Sequence, residues 1–109
     1  MAFDAISAYG ILCHMKARLL FHERRLFDDG AIMEMKIWRV PKPVQPSAHW
    51  LKYSLFYGYP GRRLVGYDNE RAKGDHKHLD DRELPYDFVS VERLVADFFA
   101  DVRRIRGSL

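Results

Sequence analysis

The sequence predicts an α+β domain, in which an antiparallel meander sheet of about four strands is covered on one face by a C-terminal amphipathic helix. Two observations favour this fold. Apolar and polar residues alternate through much of residues 16–68, which is typical of strands that are buried on one face. After residue 90, apolar residues recur at three- and four-residue spacing, which is typical of a helix that buries one stripe.

The first two strands are predicted to form a hairpin. In the run KARLLFHERRLF, residues 16–27, the alternation places Leu19 and Phe21 on one face. The dipeptide Asp29-Gly30 follows, and glycine accepts the positive φ that tight hairpin turns require. The run AIMEMKIWRV, residues 31–40, supplies the second strand.

Two further strands are predicted before a charged segment. Three prolines break the pattern at residues 41–48, which we interpret as a loop because proline cannot donate to a strand ladder. Strands are then predicted at residues 49–57 and 62–68. The charged stretch 69–83 lacks apolar periodicity, so we expect a solvated loop there.

The C-terminal helix has clear end signals. Ser90 is a favourable N-cap residue, and Glu92 in the first turn suits the helix dipole. Gly107 is expected to end the helix. Because a meander sheet has one face that needs a cover, the apolar stripe of this helix is predicted to pack on it.

The chain is long enough for one domain with a modest core. It has 109 residues, of which 48% are hydrophobic and 30% are charged. Regular patterning begins at Met15, so we expect residues 1–14 to be an extension and residues 15–109 to form a single domain. The lone Cys13 offers no intramolecular disulfide and no zinc site of its own. No apolar run approaches the roughly 20 residues that cross a bilayer, and we expect a cytoplasmic protein.

The sheet face away from the helix is predicted to be basic, with an aromatic side chain among the charges. Such a face contacts phosphates and stacks bases, although an ordinary solvated face is the alternative. The net charge of +3 alone does not establish a nucleic-acid partner. The candidate nucleic-acid-binding residues are Lys16, Arg18, Lys36, Trp38, Lys52, Arg71 and Lys77.

The segment YDNERAKGDHKH, residues 67–78, carries the candidate chemistry. His76 and His78 are predicted to act as general base and general acid on a ribose 2′-hydroxyl and a leaving 5′-oxygen, because histidine titrates nearest neutrality. Glu70 is a candidate to orient an imidazole, and Lys73 to offset phosphate charge. The pattern His-x-His brings both rings to one side only if the segment is extended.

Three alternatives for these histidines stay open: solvated surface residues, phosphate contacts, and metal ligands with Asp68 or Glu70 supplying an oxygen. The interpretation that we favour needs no metal and no cofactor. The chain has no glycine-rich phosphate loop, no cysteine pair and no Gly-x-Ser-x-Gly elbow. Kinase, hydride-transfer and serine-hydrolase activities are therefore poorly supported.

From Lys16 onward the chain resembles the TumE family of small bacterial toxins. The resemblance rests on KARLLFHERRLFDDGAIMEMKIWRV, KYSLFYG, YDNERAKGDHKH and FVSVERLVADFFADVRRI, and covers roughly residues 15–106. It implies the toxin of a type II toxin–antitoxin pair, which acts on RNA and is bound by a helix-turn-helix antitoxin from a neighbouring gene. Lys77 stands where the family pattern leads us to expect arginine.

Several functions therefore compete. We favour a metal-independent ribonuclease toxin over a non-catalytic module that binds RNA or a partner. A metal-dependent nuclease and a structural, oligomerising protein are further alternatives, since an exposed edge strand of a meander makes a homodimer feasible.

Overall fold

The computed structural model describes residues 16–109, so the predicted extension at residues 1–14 lies outside the described residues. Within these residues, six strands are followed by one helix, and each strand pairs antiparallel with the next, so the order in the sheet is the order in the chain. The predicted α+β meander with a C-terminal helix is confirmed. The strands are β1 (Arg18–Leu26), β2 (Ile32–Arg39), β3 (Leu51–Tyr59), β4 (Arg62–Glu70), β5 (Gly74–Leu79) and β6 (Arg82–Pro85), and the helix is α1 (Val91–Arg106).

The prediction of about four strands is wrong, because the segment 69–83, predicted to be a loop, contains two more. β4 continues to Glu70, and β5 and β6 follow. Burial alternates along β5 as in any half-buried strand, but its buried positions are Gly74, His76 and His78. A search for apolar periodicity cannot detect a strand whose buried residues are glycine and histidine, so β5 left no hydrophobic signal in the sequence.

The main core lies between α1 and one face of the sheet. Leu94, Phe98 and Val102 of the helix are fully buried against the sheet. Ser90 caps the helix by accepting a hydrogen bond from the Arg93 amide at 3.0 Å, and Gly107 ends it at φ 92°; both predicted end signals are confirmed. This helix is too short and too polar to cross a bilayer. The sheet residues in this core are Ala31, Met33, Met35, Ile37, Tyr53, Leu55, Tyr57, Val65 and Tyr67.

β1 is an exposed edge strand with an irregular register. Leu19 stands opposite Trp38, but Phe21 stands opposite Ile37, so the pairing shifts between them. A bulge of this kind adds one residue to one strand and reverses the faces beyond it. Leu19 and Phe21 therefore lie on opposite faces, and the simple alternation predicted for residues 16–27 is wrong at this point.

The proline-rich loop predicted at residues 41–48 is confirmed, and it closes one end of the sheet. Val44 packs with Trp38 and Val40 in a second small core. At the same end, Asn69 is fully buried: its side chain accepts from the Tyr53 amide at 3.0 Å and donates to the Leu51 carbonyl at 2.8 Å. Buried amides with this many partners fix backbone positions firmly.

A polar cluster ties the helix to the sheet. Asp101 of α1 is 4% exposed and accepts hydrogen bonds from Tyr67 and Arg104, and Lys77 Nζ lies 3.4 Å from its Oδ2. Burial alone would raise the pKa of Asp101, but the bond from Tyr67 and the two cations lower that pKa below its usual value. The ionised carboxylate is therefore the form that the fold stabilises.

Replacing Asp101 by asparagine is expected to lower the free energy of unfolding at pH 7 by about 1–3 kcal/mol, because Tyr67 and Lys77 lose a charged partner in a buried site. Since the folded pKa lies below the ordinary value of 3.8, this stabilisation is complete above that pH and is lost as the pH falls through the folded pKa. Urea denaturation at several pH values measures it. An equal loss in the exposed control Asp87→Asn would contradict the assignment.

Candidate functional site

His76 and His78 lie together on the sheet face that is turned away from α1, which we call the open face. β4 and β5 pair so that Asp68 stands opposite His76 and Gly66 opposite His78. Because alternate residues of a strand share a face, Asp68 and both histidines share the open face. The two imidazole centroids are 4.9 Å apart, with the rings at 81°. β5 is extended, so the condition for the two rings to converge is met.

His76 is held in one orientation. Its side chain is buried, with 3% of the residue exposed, and its Nδ1 lies 3.0 Å from the Gly74 carbonyl oxygen. A carbonyl oxygen can only accept, so Nδ1 carries the hydrogen and donates it. On the other side of the ring, Nε2 lies 2.5 Å from Asp68 Oδ1. The two atoms are not aligned for a hydrogen bond, and both are buried without a hydrogen-bond partner among the described residues.

Two further carboxylates stand near the same imidazole nitrogen. Glu70 Oε1 is 3.6 Å and Glu83 Oε2 is 3.9 Å from His76 Nε2. Lys73 Nζ lies 3.5 Å from Glu83 Oε2, and Glu70 and Lys73 are both exposed. The two predicted catalytic partners therefore lie at the rim of the histidine cluster rather than inside it.

His78 is less basic than an ordinary histidine. Burial lowers its pKa, repulsion from Arg63 lowers it further, and the attraction of Asp68 does not offset them. Arg63 folds across Gly66, where an added Cβ would lie 2.6 Å from Arg63 Cδ. His78 is consequently neutral at pH 7, and a neutral imidazole has a lone pair that accepts a proton or binds a cation.

A basic cleft adjoins this cluster. It has a volume of about 300 Å³ and is lined by the cations Lys42, Lys52 and Arg71, together with Glu70. Lys52 donates to the Asn69 carbonyl, and burial lowers the pKa of Lys52 although Asp68 and Glu70 attract its charge. Glu70 belongs both to the cleft wall and to the surroundings of His76, so the basic cleft and the histidine cluster are contiguous.

The other predicted nucleic-acid-binding residues do not gather at the basic cleft. Lys77 lies on the helix side of the sheet, paired with Asp101, because it alternates with the two histidines along β5. Arg18 stands opposite Arg39 in the strand ladder. Because Arg39 directly follows Trp38 in β2, Arg18 and Trp38 lie on opposite faces of the sheet. Trp38 is 6% exposed and packs in the second core, so its ring has no free face for a base.

Lys16 and Lys36 are the remaining members of the predicted set. Lys16 precedes β1 and is exposed. Lys36 is on the open face, where its Nζ lies 3.9 Å from Glu34 Oε2. Of the seven predicted cations and aromatics, Lys52 and Arg71 are thus the two that line the basic cleft.

Sequence reasoning missed Arg63, Glu83 and Lys42 as site residues. A signal for Glu83 existed in principle: a hairpin with a turn near residue 72 aligns Asp68 with His76, and a second turn near residue 80 aligns His78 with Glu83. Arg63 and Lys42 had no comparable signal. Arg63 reaches the site across Gly66, and Lys42 reaches it from the proline-rich loop.

A second histidine–aspartate pair lies outside this cluster. His49 Nε2 is 3.0 Å from Asp75 Oδ1, and the same carboxylate accepts from Ser47 and Tyr53. Asp75 alternates with His76 and thus faces away from it. Asp75 is therefore the carboxylate beside His49, whereas Asp68 is the carboxylate beside His76.

Comparison with known proteins gives one family. The family model described as Toxin TumE matches residues 16–106, which agrees with the span of the resemblance seen in the sequence. No curated protein and no solved structure matches the chain.

Replacing Asn69 by alanine is expected to lower the free energy of unfolding by about 1–3 kcal/mol, because the Tyr53 amide and the Leu51 carbonyl lose their buried partner. The loop that carries Lys42 should exchange its amide hydrogens faster as a result. Urea denaturation and hydrogen exchange measure the two effects. The exposed residue Ser54 on the adjacent strand provides the control, and a Ser54→Ala variant with the same loss would count against this role.

Proposed function

Because the chain belongs to the TumE toxin family, we propose that it is the toxin of a type II toxin–antitoxin pair and that it arrests growth by cleaving RNA. Family membership supports the role of toxin. The proposal of RNA cleavage depends on the site. Its main support is one observation: a buried histidine cluster with an adjacent carboxylate opens beside a cleft that carries three cations.

Cleavage of a phosphodiester needs two things from a protein. One is a group that handles the proton of the attacking oxygen, and the other is positive charge near the phosphorus. The neutral His78 imidazole suits the first requirement. Lys42, Lys52 and Arg71 suit the second, since phosphate oxygens bind cationic side chains strongly.

The individual proton-transfer roles of His76 and His78 stay predictions. His76 is buried, and its Nδ1 hydrogen is committed to Gly74. Its position favours a role in holding the cluster over direct contact with a leaving oxygen. Glu70 at the rim is better placed to meet a substrate, because it is exposed and shared with the basic cleft.

The competing function is an RNA-binding module without catalysis. The basic cleft alone would suffice for it, because backbone phosphates supply most of the affinity of non-specific binding. The buried cluster favours the catalytic alternative, since a binding surface has no need for an imidazole and a carboxylate held together out of contact with solvent.

The decisive comparison uses His76→Gln and His78→Gln, with His22→Gln as a matched control. Cleavage of a labelled RNA by the purified variants of the cluster is expected to fall by about 10²–10⁴-fold, the usual share of acid–base groups, and growth arrest should be relieved. His22 pairs with Glu34 on the same open face at 2.8 Å, and its loss should leave both readouts unchanged.

Circular dichroism establishes that these variants fold. Cleavage at the wild-type rate in both single variants and in the double variant would remove the cluster from the reaction. If RNA binds but yields no product at high protein concentration, the protein would act as a binding module without catalysis.

We propose that the helix-turn-helix antitoxin binds in the apolar groove between β1 and α1. The groove has a volume of about 630 Å³ and its apolar lining includes Leu20, Phe21, Val95 and Phe99. Within residues 16–109, no strand pairs with the outer edge of β1. On the face of β1 that borders the groove, Arg18 and Arg25 stand beside Glu23, and Glu92 of α1 also lines the groove. An amphipathic segment of the antitoxin with carboxylates placed for the two arginines would suit the groove and its rim.

Phe21→Glu is expected to keep growth arrest but to escape rescue by the co-expressed antitoxin, because a charge in the groove repels an acidic apolar segment. Leu26→Glu, on the same strand but the opposite face, should still be rescued. Co-purification of each variant with the antitoxin measures the loss directly. Normal rescue of Phe21→Glu would mean that the antitoxin binds elsewhere and would leave the groove to residues 1–15 of the same chain. A change in the oligomeric state alone would assign the groove to a second copy of the chain.

A further inference from the structure

The Asp68–His76 contact is incomplete as a hydrogen bond. Nδ1 of His76 donates to the Gly74 carbonyl at 3.0 Å, so in the neutral imidazole Nε2 has a lone pair and no hydrogen. Asp68 Oδ1 also presents lone pairs, and it lies 2.5 Å from Nε2. Two acceptors at this distance repel each other unless a positive charge lies between or beside them. Both atoms are buried and lack a hydrogen-bond partner among the described residues.

We propose that Asp68, His76 and His78 bind a divalent transition-metal ion. One ligand atom from each residue lies within 4.8 Å of the other two. Two atoms bound to one ion by bonds of about 2.0–2.2 Å are at most about 4.4 Å apart, so slight side-chain rotations would bring all three atoms onto one ion. An ion would take up the unused lone pairs of Nε2 and Oδ1. His78, whose ring centroid lies 4.9 Å from that of His76, supplies the third ligand atom.

The His76 imidazole has the support that a metal-binding histidine requires. Ligating histidines donate their second ring hydrogen to a carbonyl or carboxylate, which fixes the tautomer and the direction of the ligating nitrogen. Gly74 provides that carbonyl to His76, and both residues belong to the same buried strand face. The ligating direction is therefore fixed by the backbone of β5.

The ligand set selects the class of ion. Two imidazoles and one carboxylate suit Zn²⁺ or Mn²⁺, whereas Mg²⁺ prefers oxygen ligands and retains several waters. Carboxylate oxygens of Glu70 and Glu83 lie within 3.9 Å of His76 Nε2 and add negative charge around the site. The surrounding cations Lys52, Arg63 and Lys73 offset this negative charge, so the site suits one ion.

Three protein ligands leave at least one position of a tetrahedral ion open, as in catalytic zinc sites. The basic cleft shares Glu70 with the surroundings of His76, so an open position on the ion would be close to a phosphate held by Lys52 and Arg71. This use of the ion rests on the proposed ribonuclease function, whereas binding of the ion does not. Such a site would replace the metal-free interpretation that the sequence favoured.

The experiment is a titration of the purified full chain, carrying no histidine tag, with Zn²⁺ and separately with Mn²⁺. Isothermal titration calorimetry should give one ion per chain, and the bound ion should raise the melting temperature, because it stabilises only the folded state. Mg²⁺ is the comparison ion and should bind more weakly.

The Asp68→Asn variant keeps the size of the side chain and removes its charge. Its affinity for the ion should fall at least about 100-fold, since even changes outside the ligand shell cost about 10–100-fold. His78→Gln should behave in the same way, and His22→Gln, which removes an exposed histidine beside Glu34, should bind as the wild type does. Absence of binding, or equal binding by wild type and Asp68→Asn, would overturn the proposal.

RNA cleavage with and without EDTA separates this proposal from the ribonuclease function. Binding of the ion without any RNA product would keep the metal site and remove the proposed function. Cleavage that resists EDTA in a protein that binds no ion would keep the function and remove the metal site.

Discussion

The antiparallel register of β4 and β5 is the constraint on which the site depends. It sets Asp68 opposite His76 and Gly66 opposite His78, and the two-residue period of the strand then sends Asp75 and Lys77 to the other face. A shift of one residue would exchange the two sets and bury the wrong side chains. The same register therefore assembles the histidine cluster on the open face and the Lys77–Asp101 pair beneath the helix.

The polar residues of the motif YDNERAKGDHKH divide between those that hold the fold together and those of the candidate site. Tyr67, Asn69 and Asp75 face the helix side or the closing loop, where each forms hydrogen bonds that hold separate elements together. Asp68 and His76 face the open side with lone pairs that no described hydrogen bond uses. Unsatisfied buried polar atoms are costly in a fold, so their presence on one face is an argument for a ligand there.

The helix, the first hairpin and the proline-rich loop were predictable because residues within or next to each element mark its position. Ser90 and Gly107 mark the two ends of α1, and Gly30, at φ 91°, marks the turn between β1 and β2. The segment 69–83 was mistaken for a loop because the buried residues of β5 are histidine and glycine, which no hydrophobic pattern detects. The set of residues predicted on the face away from the helix was partly wrong for a similar reason. The bulge before Phe21, which places Arg18 on the helix side, leaves no trace in the alternation.

By itself, the sequence determined the α+β class and the family and singled out the candidate segment 67–78, because local periodicity, cap residues and motif identity need no knowledge of distant contacts. The tertiary structure alone decided which of the charged residues meet. Arg63 approaches His78 over Gly66, Lys42 reaches the basic cleft from a loop, and Trp38 is covered by Val44. Such contacts are set by strand register and loop packing rather than by any local preference of the residues involved.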